Sequence, residues 1–183
     1  MIKRIFDFFT ALLLLVLLGW LLVIVFIIAS IDTKSNGFFV QNRVGQFGKM
    51  FKIIKIKTMH PKTYTISKWA LFLRKYKIDE LPQLWNIIVG DMSLVGPRPD
   101  IEGYYDKLKG EERKILELKP GITSEAAIKY FDEEYVLKQQ KNPQEYNDTI
   151  IFPDKVKLNL DYYYHQTLFL DFKIIMKTLT KLL

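Results

Sequence analysis

The chain has 183 residues, 49% of them hydrophobic, so it has enough apolar material for one folded domain with an appendage. It contains no cysteine, which excludes disulfides, thiol nucleophiles and thiolate metal sites, and its two histidines, His60 and His165, are too few for a histidine-based zinc centre. The formal net charge of +7 points to an anionic partner: a nucleic acid, a phosphorylated substrate or an acidic membrane face.

The N-terminus narrows that choice. Phe8 to Ile31 are 24 residues without a charge, enough for roughly 36 Å of helix at 1.5 Å per residue. The run is long for the apolar region of a signal peptide, and no small-residue cleavage site precedes Asp32, so the segment is expected to be retained in the membrane. Lys3 and Arg4 precede it, and the other 25 of the 27 basic residues follow it. Both flanks therefore ask for the cytoplasmic side. A helix that enters and returns to one face satisfies both, and Gly19-Trp20 is where it could bend. A single span, with one flank against the charge rule, stays open.

Beyond the turn-rich TKSNG, two β-rich runs, Phe38 to Val44 and Lys49 to Thr58, flank GQFG and predict a hairpin. Phe51 and Ile53 share a strand face with Lys55 and Lys57, so the second strand would root in a core and present cations at its end. Residues 65 to 77 predict a helix with Trp69, Phe72 and Leu73 on one side, suited to a membrane interface or to an ordinary surface. Pro82 fits the first turn of a further helix that runs through Leu84, Trp85, Ile87 and Ile88 to a stop at Gly90. A charged helix is expected from Gly103 to Lys119, then a turn at Pro120-Gly121 and helix-prone residues 124 to 150 that end near FPDK. From Leu168 to Leu183, Lys173, Lys177 and Lys181 form a stripe among Phe172, Ile175, Met176, Leu179, Leu182 and Leu183. That helix could lie in a membrane surface or pack on the core.

The chemistry concentrates in KYKIDELPQLWNIIVGDMSLVGPRP, residues 75 to 99. Asp79 and Glu80 stand at the start of an apolar helix, where unpaired N–H groups favour anions. They can serve there as cap and dipole partner, or an ionised aspartate held against a phosphate can attack it. Adjacent helical residues face different ways, so one carboxylate could attack while the other binds a cation or handles a proton. Phosphate repels carboxylates, so such chemistry needs Mg²⁺ or fixed cations. Arg98, between Pro97 and Pro99, has a restricted backbone that limits the entropy lost on meeting a phosphate. A solvated arginine on a rigid loop is the alternative.

These residues, with QNRVG, FKIIKIKTM and KPGIT, resemble the catalytic domain of the monotopic bacterial phosphoglycosyl transferases, the small initiating sugar transferases. The likeness extends from Lys3-Arg4-Ile5-Phe6-Asp7 to the C-terminal DYYY and LDFKII, and the ordered blocks DELPQLWN and GDMSLVGPRP make it specific. It implies an α+β, mainly helical fold with a re-entrant helix over residues 1–32 and a cytoplasmic catalytic domain over 33–183. That domain would carry a small β-hairpin and amphipathic interfacial helices, held at the bacterial inner membrane. It implies that Asp79 attacks the β-phosphate of a UDP-sugar and releases UMP, and that a polyprenol phosphate then takes the phosphosugar. Glu80 is implied as essential partner, and Mg²⁺ as cofactor held by Asp79 and Glu80. Lys57, Arg98, Asp91, Gln83 and Arg43 fall in matching motifs as substrate contacts. The chain departs from the family in having Gly19-Trp20 where a Ser-Pro bend is common. It also reads SEAAIKYFDEEYV where many members continue GWAQVNGR after the KPGIT block, which puts sugar contact by Ser124 to Val136 in doubt.

A membrane-anchored interaction protein without catalysis is the competing reading, and it has no need for paired acids beside GPRP. The apolar anchor and the lack of a recognised binding motif count against nucleic acid, which is not among the expected partners. The expected partners are a UDP-sugar, a polyprenol phosphate and membrane lipid, with other glycan-assembly enzymes open.

Overall fold

An uninterrupted run of apolar residues, with no proline and one glycine, builds α1 (Ile2–Thr33) in a computed structural model that describes residues 1–182. The helix exceeds the apolar run at both ends, taking Lys3, Arg4 and Asp7 into its first turns and Asp32 and Thr33 into its last. It is long and apolar enough to cross a membrane. Helical structure continues through Gly19-Trp20. Lys34, in the left-handed region at φ 49°, ends the helix.

The chain divides into two compact units. The first holds Met1–Arg43, Met50–Ser93 and Leu182; the second holds Val44–Lys49 and Leu94–Lys181. The expected hairpin is present as β1 (Phe38–Val44) and β2 (Met50–Ile56), joined through a 3-10 turn at Gln46–Gly48. β2 does not have the single buried face expected. Ile53 and Ile56, on opposite faces, are both buried, and Ile56 packs with Val25 and Ala29 of α1 and with Leu73. Lys57 falls just past the strand's end.

α2 is shorter than the expected helix, running Lys68–Lys75 from an N-cap at Ser67, whose Oγ accepts the Ala70 N–H at 3.0 Å. Ala70 and Leu73 are its buried residues; Phe72, read on one side with Trp69 and Leu73, is 45% exposed, stacks on Trp69 and meets the Tyr76 ring at a tilt. α3 (Gln83–Val89) stops at Gly90, at φ 98°, as expected, with Pro82 one position earlier than expected, at the N-cap.

β3 (Ser93–Val95), of which Leu94 and Val95 belong to the second unit, pairs with that unit's β4 (Gly121–Thr123), each too short for alternation to reveal it. Their flanking glycines explain two motifs. A Cβ on Gly96 would lie 2.2 Å from the Lys119 carbonyl oxygen, and one on Gly121 would lie 2.1 Å from the Gly96 nitrogen. VGPRP and KPGIT therefore meet backbone to backbone, and only glycine allows the approach.

The charged helix expected over 103–119 is instead two 3-10 segments, Tyr105–Lys107 and Gly110–Glu117, because Gly103 (φ 108°) and Gly110 (φ 56°) break it. Residues 124 to 150 form α4 (Glu125–Lys129), α5 (Glu133–Lys138), α6 (Pro143–Tyr146) and a π-turn at Asn147–Ile151. FPDK opens α7 (Phe152–His165) and does not end a helix, since Pro153 sits in the first turn, where its missing N–H costs nothing. Val156 of α7 packs with Val44, Tyr105, Leu108, Ile115 and Leu116 as this unit's core. α8 (Leu168–Leu182) buries Asp171 and Ile174 and exposes Phe169, Phe172, Met176 and Leu179. Leu183, expected at its end, lies outside the described residues.

Candidate active site

Asp79 and Glu80 occupy a 3-10 turn of their own, Ile78–Glu80, before Pro82 rather than in the first turn of α3. Lys77, at φ 54°, opens that turn in a left-handed conformation costing a side-chain-bearing residue about 1–2 kcal/mol. Both acids that follow are buried, Asp79 at 8% and Glu80 at 6% exposed. The buried acids are then met by cations from three elements. Lys55 of β2 places Nζ 3.0 Å from Glu80 Oε1. Arg74 of α2 and Lys77 also act on Asp79 through their charge.

Burial pushes the Asp79 carboxyl up from 3.8 to about 6, with repulsion from Glu80 adding to it and Lys55, Lys77 and Arg74 opposing it. Asp79 Oδ1 is buried without a hydrogen-bond partner, and so is Gln83 Nε2 on the first turn of α3. A carboxylate left this way is costly unless something completes the site. Three cations act on two acids, so the formal charge of these five groups is positive.

The remaining residues named from sequence fall in several places. Lys57 Nζ donates to Ser35 Oγ at 3.1 Å while its backbone N–H donates to the Gly37 carbonyl at 2.7 Å. Arg43 Nη2 donates to Gln41 Oε1 at 2.8 Å in β1. Asp91 is exposed beyond the C-terminal end of α3, with about 10 Å of helix between it and the turn that carries Asp79. Arg98 belongs to the second unit, half-buried between the buried Pro97 and Pro99, where Gly96 and Gly121 backbone bonds hold the loop. Ser124 to Val136 is pinned to α7: Lys129 Nζ and the Tyr130 hydroxyl meet Asp154 Oδ2 at 2.7 and 2.8 Å, and Lys155 pairs with Glu133.

Arg74 and Lys77 were not among the residues named from sequence, and Lys55 was placed no nearer the acids than Lys57. The available signal was weak: Lys77 stands two residues before Asp79, and Arg74 lies one helical turn before Lys77.

Among the described residues, no cluster of three or more metal-binding side chains exists. Mg²⁺ does not need one. It commonly takes one or two carboxylates and completes its shell with water and substrate phosphates. Asp79, with its orphaned oxygen, and Glu80 beside it fit that donor set.

One unit of the fold thus carries both the long apolar helix and a buried acid pair on which three cations act. The family profile described as bacterial sugar transferase matches residues 1–183, and the chain belongs to that family. It is 32% identical to the Bacillus subtilis (strain 168) protein named uncharacterized sugar transferase EpsL, over 100% of this chain and 87% of that one. It is 29% identical to a UDP-glucose:undecaprenyl-phosphate glucose-1-phosphate transferase of Caulobacter vibrioides, over 99% of this chain and 69% of that one. The galactosyl transferase CpsE of Streptococcus agalactiae is 32% identical over 97% of this chain, which spans only 41% of CpsE.

Proposed function

We propose that the chain transfers a phosphosugar from a UDP-sugar to a polyprenol phosphate, giving polyprenyl-diphosphate-sugar and UMP. The observation that carries this is Asp79 Oδ1, buried and without a hydrogen-bond partner, where Lys55, Lys77 and Arg74 act on the carboxylate through their charge. A carboxylate meant only to cap a turn or close an ion pair would have its oxygens satisfied. Names of relatives that specify undecaprenyl phosphate, with glucose or N-acetylgalactosamine as the sugar, support the donor and acceptor classes.

In the first step an Asp79 oxygen attacks the β-phosphorus. The bond from that phosphorus to the bridging oxygen breaks, UMP leaves with the electron pair, and an aspartyl-phosphosugar remains. In the second, a phosphate oxygen of the polyprenol phosphate attacks the same phosphorus, the acyl-phosphate bond breaks, and the Asp79 carboxylate is regenerated. Lys55 and Arg74 offset the charge gathered around the phosphorus, and Lys55 holds Glu80 in place. Mg²⁺, held by Asp79 and Glu80, would neutralise the pyrophosphate oxygens. Gln83 Nε2, buried and unpaired, is a donor for the substrate, and Lys57, Arg43, Asp91 and Arg98 are further proposed contacts by their motifs alone.

The reading places the enzyme on the cytoplasmic face of the bacterial inner membrane, with α1 re-entrant. A spanning helix holds its domain at one end. Here both ends of α1 touch the same unit: Arg4 donates to carbonyls of α3, and Val25 and Ala29 pack on Ile56 and Leu73. Between them Leu13, Val16, Leu17 and Trp20 are exposed to whatever medium surrounds the helix. The exposed aromatic face of α2 and the Phe169, Phe172, Met176, Leu179 face of α8, beside Lys173, Lys177 and Lys181, suit an interfacial position.

UMP release from a panel of UDP-glucose, UDP-galactose and UDP-N-acetylgalactosamine, with polyprenol phosphate present or absent, tests the reaction. One UMP per enzyme without acceptor, and turnover with it, is expected; no release from any of the three would refute the proposal. Topology is tested with Lys3→Cys and Lys34→Cys in a chain that has no native cysteine. Both should resist an impermeant thiol reagent until cells are opened, and labelling of one alone in intact cells would mean a span.

A further inference from the structure

The first two turns of α1 do more than start an anchor. Arg4 spreads its guanidinium over the last turn of α3: Nη1 donates to the Ile87 carbonyl, and Nη2 donates to the Ile88 carbonyl at 2.8 Å. One turn further along α1, Asp7 is 3% exposed and accepts from Ser93 Oγ at 2.7 Å, where β3 begins just past α3. The two residues, three apart, lie on one face of α1, and Ala11, fully buried, continues that face.

α3 needs such support. A seven-residue helix has few internal bonds, and its last carbonyls have no partner within it. The Asn86 and Ile87 carbonyls accept from residues 90 to 92. Ile88 is reached by Arg4, whose charge also complements the negative end of the helix. From the other side, Asn86 ties α3 to β2, its Nδ2 donating to the Lys52 carbonyl at 2.7 Å and its Oδ1 accepting from Ile54 N at 3.2 Å. α3 is thus held between α1 and the strand that carries Lys55. Its N-terminal end adjoins the turn with Asp79 and Glu80.

We propose that Arg4 and Asp7 are positioning residues for turnover. By fixing the C-terminal end of α3 they hold the Asp79-Glu80 turn in register with Lys55, so the membrane helix acts on the rate as well as on location. The proposal rests on the reaction proposed above. It gives a basic residue at the N-terminus of a membrane helix a task separate from setting topology.

The test uses the full chain in nanodiscs, with Arg4→Gln, Arg4→Lys, Asp7→Ala and Asp7→Asn. Measured for each are the membrane-bound fraction, kcat and KM per folded molecule for the fastest UDP-sugar of the panel, and amide hydrogen exchange over residues 83–93. Arg4→Gln and Asp7→Ala should stay membrane-bound with little change in KM, lose kcat by about tenfold or more, and exchange the α3 amides faster than those of β2. Asp7→Asn keeps an acceptor for Ser93 and should recover most of the rate; Arg4→Lys, with one ammonium for two carbonyls, should fall between. The proposal is overturned if Arg4→Gln changes only the bound fraction. It is equally overturned if kcat per folded molecule is unchanged, or if α3 exchange is as slow as in the parent. A parent that releases no UMP would refute the reaction, and the exchange data would then decide the clamp by themselves.

Discussion

Replacing Asp79 by asparagine should abolish turnover and, at neutral pH, stabilise the fold. Its carboxyl is raised from 3.8 to about 6, first by burial and then by Glu80. The folded chain therefore holds the Asp79 proton more tightly than the unfolded chain does. At 1.36 kcal/mol per pH decade, keeping Asp79 ionised costs the fold about 3 kcal/mol above pH 6. That cost is absent below about pH 4, where both states are protonated, and grows as pH rises toward the folded value. An amide side chain at this position never carries the charge. The Asp79→Asn variant should accordingly melt higher than the parent by roughly 6–12 °C at pH 7.5, at 2–4 °C per kcal/mol for a chain this size, with the gap closing toward pH 4. Thermal unfolding of both proteins in detergent with a chelator present, repeated across pH, provides the measurement. A variant that melts at or below the parent at pH 7.5, or a gap that does not depend on pH, would refute the claim that Asp79 is held charged at a cost. Retained UMP release would remove it as nucleophile.

The proposed site yields further expectations. Lys55→Met leaves Glu80 buried without its 3.0 Å partner, so it should cost about 3 kcal/mol of stability in denaturant titrations and move the acid limb of kcat/KM to higher pH, because Lys55 lowers the Asp79 value. Glu80→Gln removes a repulsive neighbour, so carbon-detected titration of the Asp79 carboxyl should shift down while UMP release is lost; activity near the parent's would reduce Glu80 to a structural ion-pair partner. Mg²⁺ should raise the melting temperature of the parent but not of Asp79→Asn, and chelation should stop turnover reversibly. Arg98→Lys should lower kcat/KM despite equal charge, since an ammonium cannot make a planar two-donor contact; an unchanged kcat/KM would return Arg98 to the solvated loop.

Legibility followed the range of the interaction. α1, the hairpin and the stop of α3 were readable because each is written locally: an apolar run, two β-rich segments around GQFG, and a glycine at φ 98°. The 103–119 segment was misread for the opposite reason. Its composition favours helix, but Gly103 and Gly110 take positive φ, and the segment becomes two 3-10 pieces packed beneath α7. β3 and β4 were unreadable in principle. Three residues carry no period, and what fixes them is the contact of Gly96 with Gly121 from across the sequence.

The site divides along the same line. Asp79 and Glu80 could be proposed from sequence because DELPQLWN is contiguous, yet their setting is assembled from distant residues. Lys55 comes from 25 positions upstream, on a strand whose alternation offered Lys57 equally well. Spacing puts both lysines on one face; only the register of β2, locked by Asn86 on Lys52 and Ile54, selects Lys55 for Glu80. Arg4 was read for its charge, as a topology signal, because the sequence cannot show that its fork meets two carbonyls 83 and 84 residues away. The acids name the chemistry, while the cations that make an ionised Asp79 bearable are set by tertiary register. A change that slips β2 by one residue, leaving every charged residue in place, should therefore lower UMP release as far as Asp79→Asn is expected to.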